Sequence, residues 1–283
     1  MISAAVRPRG PFSLRLSARI AGNATRTSAG GPFVAALAAG GIGRAWQQAD
    51  GVVQLRAPDE AGLVELRFVL ALHDDHSEFL ARFAGDPLLG RALPRLRGLR
   101  PLRLATVTHA LLRAVAGQLI TARRAREIER TVIRAATPKL PGTFLHAPPN
   151  PATFARFAPA ELRRLGLGAR RGATLVRLCR AFDLERLRGL PMTAAAERLE
   201  RERGLGPWSV GLVCVEGLGR FERGLVGDLG LVKLCRALWG RRVEPWETAE
   251  LLDPYGEWAG LAGIYLLNAW RLGLLPVPQR RAA

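Results

Sequence analysis

Bond-breaking chemistry in this chain has one conspicuous candidate, a carboxylate isolated among basic and apolar residues. In the stretch 201-RERGLGPWSVGLVCVEGLGRFERGLVGDLGL-231, a Gly204-Leu205-Gly206 turn leads through Pro207 and Trp208 into an apolar run, and Asp228 follows the run. An ionised carboxylate can stabilise positive charge developing on a nearby carbon, orient a water or take its proton. Asp228 also directly precedes a helical pattern over 229–239, where an aspartate serves as an N-cap. The residue alone permits both roles. In the turn, Gly204 and Gly206 are expected to supply positive φ values, and Pro207 suits the first position of the next helix. Two helices so joined leave backbone N–H groups free at the start of the second, a place for an anion such as a DNA phosphate. An αα-hairpin that merely turns a corner has the same local signature.

Helices must hold this hairpin and its aspartate, and the sequence supplies them from about residue 102 onward. Leu104, Val107, Leu111, Val115 and Leu119 recur at helical spacing, and further helices are expected near 122–136, 159–165, 169–182, 193–203, 207–218, 229–239 and 258–272. Thr193 is the expected cap of the helix before the turn. A proline-rich loop fills 137–151. Before residue 100 the period is two: 12-FSLRLSARI-20 and 64-VELRFVL-70 alternate apolar and polar, Val53, Leu55 and Ala57 repeat the pattern more weakly, and Gly-rich stretches at 29–33 and 37–43 punctuate it. The expected fold is α+β, with a small β-rich domain over 1–100, an all-α domain over 101–275 and a basic tail over 276–283.

The charge balance points to a polyanion. Of 42 lysines and arginines, all but Lys139 and Lys233 are arginine, against 24 acids, for a net charge of +18. Nucleic acid is the partner this implies, although a coding bias toward arginine would produce part of the excess. No apolar run approaches the ~18 residues of a membrane span, and the N-terminus lacks the apolar core of a secretory signal. Cys179, Cys214 and Cys235 lie in apolar helical patterns without C-x-x-C spacing, which suggests buried thiols in a reducing cytoplasm and no metal site of that kind.

The segment 204-GLGPWSV-210 with 227-GD-228 resembles the helix-hairpin-helix signature of the DNA glycosylase superfamily that carries a Gly/Pro-rich loop and a following aspartate. The runs 85–103, 114-AVAGQLIT-121, 165-LGLGARRGATLVRLCRAF-182 and 255-YGEWAGLAGIYL-266 resemble further stretches of that family in the same order. With a β-rich domain in front, the likeness is greatest to the 3-methyladenine glycosylase II branch. The resemblance implies a monofunctional enzyme that binds damaged double-stranded DNA as a monomer, flips out an alkylated purine and hydrolyses its N-glycosidic bond. It implies Asp228 as the catalytic carboxylate and Gly204, Leu205 and Gly206 as the phosphate-binding hairpin. Gln118 and Leu119 become the minor-groove wedge, and Trp208, Leu212, Tyr255, Trp258 and Leu267 the base pocket. Bifunctional relatives carry a lysine where this chain has Trp208, so no Schiff base is expected there. No cysteines follow Cys235 that could hold an iron–sulfur cluster. A sodium or potassium ion on the backbone carbonyls of Glu200, Glu202 and Gly204 is a further implication. A cytoplasmic, nucleoid-associated location fits such a role.

The chain departs from the family pattern in three places. Leu212 and Leu267 are aliphatic where aromatic residues are usual, Ala259-Gly260 replaces Arg-Ser, and Glu202-Arg203 replaces a hydrophobe-proline pair. Loss of aromatic faces weakens attraction for a cationic base. A glycosylase for oxidised or deaminated bases, and a non-catalytic binder of damaged DNA, are the alternatives these departures keep open.

Overall fold

Val53, Leu55 and Ala57 alternate with Gln54 and Arg56, and this run forms the best-buried strand of the protein. The computed structural model describes residues 1–19, 21–28 and 31–276. Its antiparallel sheet contains β1 (Ile2–Val6), β2 (Arg26–Thr27), β3 (Phe33–Ala36), β4 (Ile42–Gln47) and β5 (Val53–Ala57), in the order β1-β5-β4-β3-β2. Leu55 sits between Ala4 of β1 and Ala45 of β4, and Ala45 in turn faces Phe33 of β3. Small residues around one leucine let helices approach the sheet closely.

Two segments expected to be strands are helices. In 12–20 the helix is α1 (Leu14–Ala18): Leu14, Ser17 and Ala18 are buried at positions i, i+3 and i+4, and the Ser13 hydroxyl accepts from Leu16 N. The 64–70 run belongs to α2 (Glu60–Val69), capped by Asp59, whose Oδ1 accepts from Gly62 N at 2.9 Å. Leu63, Leu66 and Val69 face the core, while Val64, expected inside, is exposed. An N-cap worth about 1 kcal/mol and packing against β4 and β5 outweigh the strand preference of the β-branched residues. Ile20, Ala29-Gly30 and the tail beyond Pro276 lie outside the described residues.

After α3 (Ser77–Arg82) and α4 (Leu93–Leu96), helices dominate. They are α5 (Val107–Gly117), α6 (Ala122–Ala136), α7 (Pro151–Ala155), α8 (Pro159–Arg164), α9 (Ala169–Ala181), α10 (Met192–Glu200), α11 (Pro207–Val213), α12 (Leu229–Trp239), α13 (Thr248–Leu252) and α14 (Ala259–Arg271). Thr193 lies inside the first turn of α10, where Pro191 takes the cap position. The helix expected over 207–218 changes character midway: α11 runs into a π-helical turn, Cys214–Leu218, that ends at Gly219. None of the described helices is long and apolar enough to cross a membrane.

Apolar side chains form two clusters. One joins the sheet to α1, α2, Leu102 and Ala105; the other runs from Phe79 through α14 and includes Ala24. Arginines clasp the seam between them. Arg26 donates to the carbonyls of Ala21, Leu102 and Arg103; Arg100 to those of Arg9, Pro11 and Ala71; and Arg188 to those of Leu104, Ala105 and Gly217. A guanidinium carries five donors, so each one satisfies several carbonyls that no helix or strand provides for. Burial pushes Arg26 down to about 10, which leaves it charged at neutral pH. Part of the arginine excess is therefore structural cement.

Candidate active site

The turn between α10 and α11 is a helix hairpin. Gly204 has φ +92°, and a Cβ there would lie 2.4 Å from Thr174 Oγ1, so both conformation and space demand glycine. Gly206 behaves differently from the expectation: at φ −96° it is an ordinary extended N-cap with open space around it. Pro207 opens α11 as its first residue. The acid of the unusual Glu202-Arg203 pair is explained by its partners, for the buried Glu202 carboxylate bridges Arg177 and Arg198 at 2.6 Å each. Of the carbonyls implied to hold a cation, Glu202 O accepts from Leu205 N, and Gly204 O accepts from the Gln118 side chain at 2.8 Å. Among the described residues, no three His, Cys, Asp or Glu converge as metal ligands.

Asp228 is the N-cap of α12 and also more than a cap. Its Oδ1 accepts from Gly230 N at 2.7 Å and Leu231 N at 3.3 Å, while Oδ2 accepts from the Trp208 indole Nε1 at 3.0 Å. The preceding peptide is pinned as well, since Gly227 N donates to Thr248 Oγ1 at 2.7 Å. The carboxylate is thus aimed by three donors from two elements and is half-buried. The edge of the Trp208 indole abuts Gly117, where an added Cβ would lie 2.5 Å from the ring's Cη2.

Asp228 faces a cavity of about 820 Å³ between the sheet-bearing part and the helices. Trp208, Leu212 and Leu267 line it, as do Gln118 and Leu119 at the rim. Leu119 stands out: it follows the end of α5 at φ +56° and is 86% exposed, so it belongs to no buried helix face. Gln118, expected beside it as a wedge, instead turns inward and donates to Gly204 O and Ser209 Oγ. Tyr255 and Trp258 do not line the cavity. Tyr255 is buried against Phe83 with its hydroxyl donating to Asp86, and Trp258 packs on Phe79, so both are core aromatics. The Ala259-Gly260 pair packs a loop, with Gly260 N donating to Phe221 O at 2.7 Å.

Sequence reasoning missed the floor of this cavity. Arg113 donates to both oxygens of Glu129, at 3.0 and 2.9 Å, and to Glu216 Oε2; His109 Nε2 lies 2.7 Å from Glu129 Oε1. Burial opposes ionisation of Glu129, but Arg113 and the hydrogen bonds hold the carboxyl well below the usual range. Burial keeps His109 below its usual value. The signal available in the sequence was Glu216 itself, a lone charge in the apolar run 210-VGLVCVEGL-218. Trp246, which lines the cavity and is 68% exposed, was also overlooked. The three cysteines are buried, and burial pushes their thiols up to about 11 or 12, which removes them as nucleophiles.

A hairpin of this geometry, an aspartate capping the next helix and an antiparallel sheet in front define the fold of the helix-hairpin-helix DNA glycosylases. The solved 3-methyladenine DNA-glycosylase from Archaeoglobus fulgidus superposes with a TM-score of 0.80, at 19% identity over 96% of this chain and 99% of that one. The Clostridium acetobutylicum 8-oxoguanine glycosylase/lyase bound to double-stranded DNA gives 0.77, at 15% identity over 96% and 98%. In sequence, a DNA-3-methyladenine glycosylase of Bacillus subtilis (strain 168) is 25% identical over 211 residues, 71% of this chain and 68% of that protein. No family model matches the chain. Fold and signature together make the chain similar to the helix-hairpin-helix DNA glycosylases.

Proposed function

We propose that this chain is a monofunctional DNA glycosylase that excises damaged, alkylated purines from double-stranded DNA in base excision repair, acting as a monomer associated with the nucleoid in the cytoplasm. The observation that carries the proposal is the aim of Asp228: a half-buried carboxylate, fixed by Trp208 and by the first N–H groups of α12, opens on a cavity large enough for a purine. Residues 101–275 supply the hairpin, wedge and aspartate, and residues 1–100 close the far side of the cavity.

In this reading the damaged nucleotide leaves the stack and its base enters the cavity. The exposed Leu119 fills the gap, held at the rim by the bonds of Gln118 to the hairpin. The C1′–N bond then breaks with both electrons leaving on the base. Positive charge grows on the sugar and is offset by Asp228. Water adds to C1′, and its proton passes to Asp228 and on to solvent or the departing base. The sugar–phosphate backbone stays intact in this reading, because Trp208 has no amine to attack C1′; Lys233, the one lysine among the cavity-lining residues, sits on α12 and not in the hairpin. The hairpin N–H groups and the surrounding arginines hold phosphates, which fixes register without reading sequence. No cofactor takes part in any step.

The decisive experiment is base release from duplex oligonucleotides that each carry one alkylated, oxidised or deaminated base, with hot alkali added afterwards to reveal abasic sites. Release of alkylated purines ahead of the other classes is the expected result. Release of none would refute the proposal and leave a non-catalytic DNA binder.

A further inference from the structure

Trp208, Leu212 and Glu216 are spaced four apart, so they descend one face of α11 and its π-helical extension, and all three line the cavity. Eight residues at about 1.5 Å each set Glu216 roughly 12 Å below Trp208 along the helix. Trp208 touches Asp228 and marks the level of the sugar. Glu216 therefore lies at the depth where the far edge of an inserted purine would end.

The chemistry at that depth is specific. Glu216 Oε2 is held by Arg113, which is itself gripped by both oxygens of the buried Glu129. Its other oxygen, Oε1, has no protein donor among the described residues and opens on the cavity. A carboxylate oxygen can only accept. The π turn that carries it is the second observation pointing to a ligand, because such turns in α-helices are frequent at functional sites. A structural ion pair would not need a free oxygen facing a cavity.

We propose that Glu216, oriented by Arg113, is the specificity-determining residue of the pocket and reads the Watson–Crick edge of the extruded base. Guanine-type lesions present two adjacent donors, N1–H and N2–H, to the free oxygen, and their O6 can accept from Arg113. Adenine-type lesions offer one donor from N6 and place the N1 lone pair beside the carboxylate. The pocket accordingly favours alkylated guanine. This inference rests on the glycosylase reading above.

Duplex DNA treated with dimethyl sulfate carries 7-methylguanine and 3-methyladenine together, so one substrate reports both releases. In Glu216→Gln the amide oxygen must satisfy Arg113, which turns the NH2 group toward the donors of guanine. The ratio of 7-methylguanine to 3-methyladenine release is expected to fall by about ten- to a hundredfold, the usual worth of a bidentate base contact. A second arm needs no variant: the wild-type protein should release 7-methylhypoxanthine, which lacks the 2-amino group, roughly tenfold more slowly than 7-methylguanine once each rate is divided by its spontaneous rate. Equal loss of both bases in a folded Glu216→Gln protein, or equal release of the two 7-methyl bases by the wild type, overturns the inference. The glycosylase reading survives that outcome if Asp228→Asn still abolishes release. Should the wild type release no base at all, both fall.

Discussion

Asp228→Asn separates capping from catalysis because asparagine caps a helix about as well as aspartate. The amide oxygen can keep the bonds from Gly230 N and Leu231 N, but the NH2 group would then meet the Trp208 indole N–H, donor against donor. One unsatisfied, half-buried donor costs roughly 1–2 kcal/mol, a loss of a few degrees in Tm for a chain of this size. Chemistry suffers far more. A carboxylate about 4 Å from a full positive charge contributes roughly 4 kcal/mol at the effective dielectric of a half-buried site. Removing it slows the chemical step on the order of a thousandfold. The assay is single-turnover release of methylated bases, with circular dichroism to verify folding and fluorescence anisotropy to measure DNA binding. Affinity should hold or rise, because a charge that repels phosphate is gone. Release within tenfold of wild type would show that Asp228 only caps α12. Strand breaks before alkali treatment would instead refute the monofunctional assignment, whatever the rate.

Trp208→Phe keeps the pocket wall and deletes the donor to Asp228; single-turnover release should slow by about tenfold, the value of one hydrogen bond to a charged group, with DNA affinity unchanged. Leu119→Ala should leave Tm unaltered, since the side chain is exposed, yet lower release from fully paired lesions about tenfold more than from lesions in mismatches, where unstacking costs less; equal losses on the two substrates would remove its role as a wedge. Thermal melts from pH 7 to pH 4 should show stability falling as soon as the pH drops below about 6.5. His109 has a lowered value in the fold and so binds its proton more readily unfolded, and Glu129, also lowered, adds the same sign through the carboxylate range. A flat profile down to pH 5 would mean that the buried His109 is not the sensor.

Helices of the second half were legible because their signals agree with one another. The pattern over 229–239 has a cap, an apolar face and a terminal glycine, and α12 occupies those residues. The first half misled because short helices show too little of their period. Five residues of α1 contain one turn and a fraction, and alternation over so short a span fits helix or strand equally. Strands β3 and β4 hid in glycine- and alanine-rich sequence whose smallness serves close approach, as where Leu66 covers Gly43. Within the site, the backbone-determined parts were readable: the Gly204 turn and the cap at Asp228. Tyr255 and Trp258 were not, because an aromatic that packs a core and one that lines a cavity look alike in sequence. Glu216 was overlooked for the opposite reason, its partner Arg113 being a hundred residues distant.

The Gln118 side chain is tied to the hairpin at Gly204 O and Ser209 Oγ, and its own carbonyl accepts from Arg171 on α9. The segment that carries Leu119 is thereby riveted to the element proposed to grip phosphate. A probe mounted this way has no travel of its own. If Leu119 is the wedge proposed above, it would press on every step of a duplex with the same reach, and only the DNA could yield. Intact pairs would resist and send the protein onward, while weakened ones would give way. Search and recognition then become one act, in which the sensing compliance belongs to the substrate and the enzyme serves as a fixed gauge.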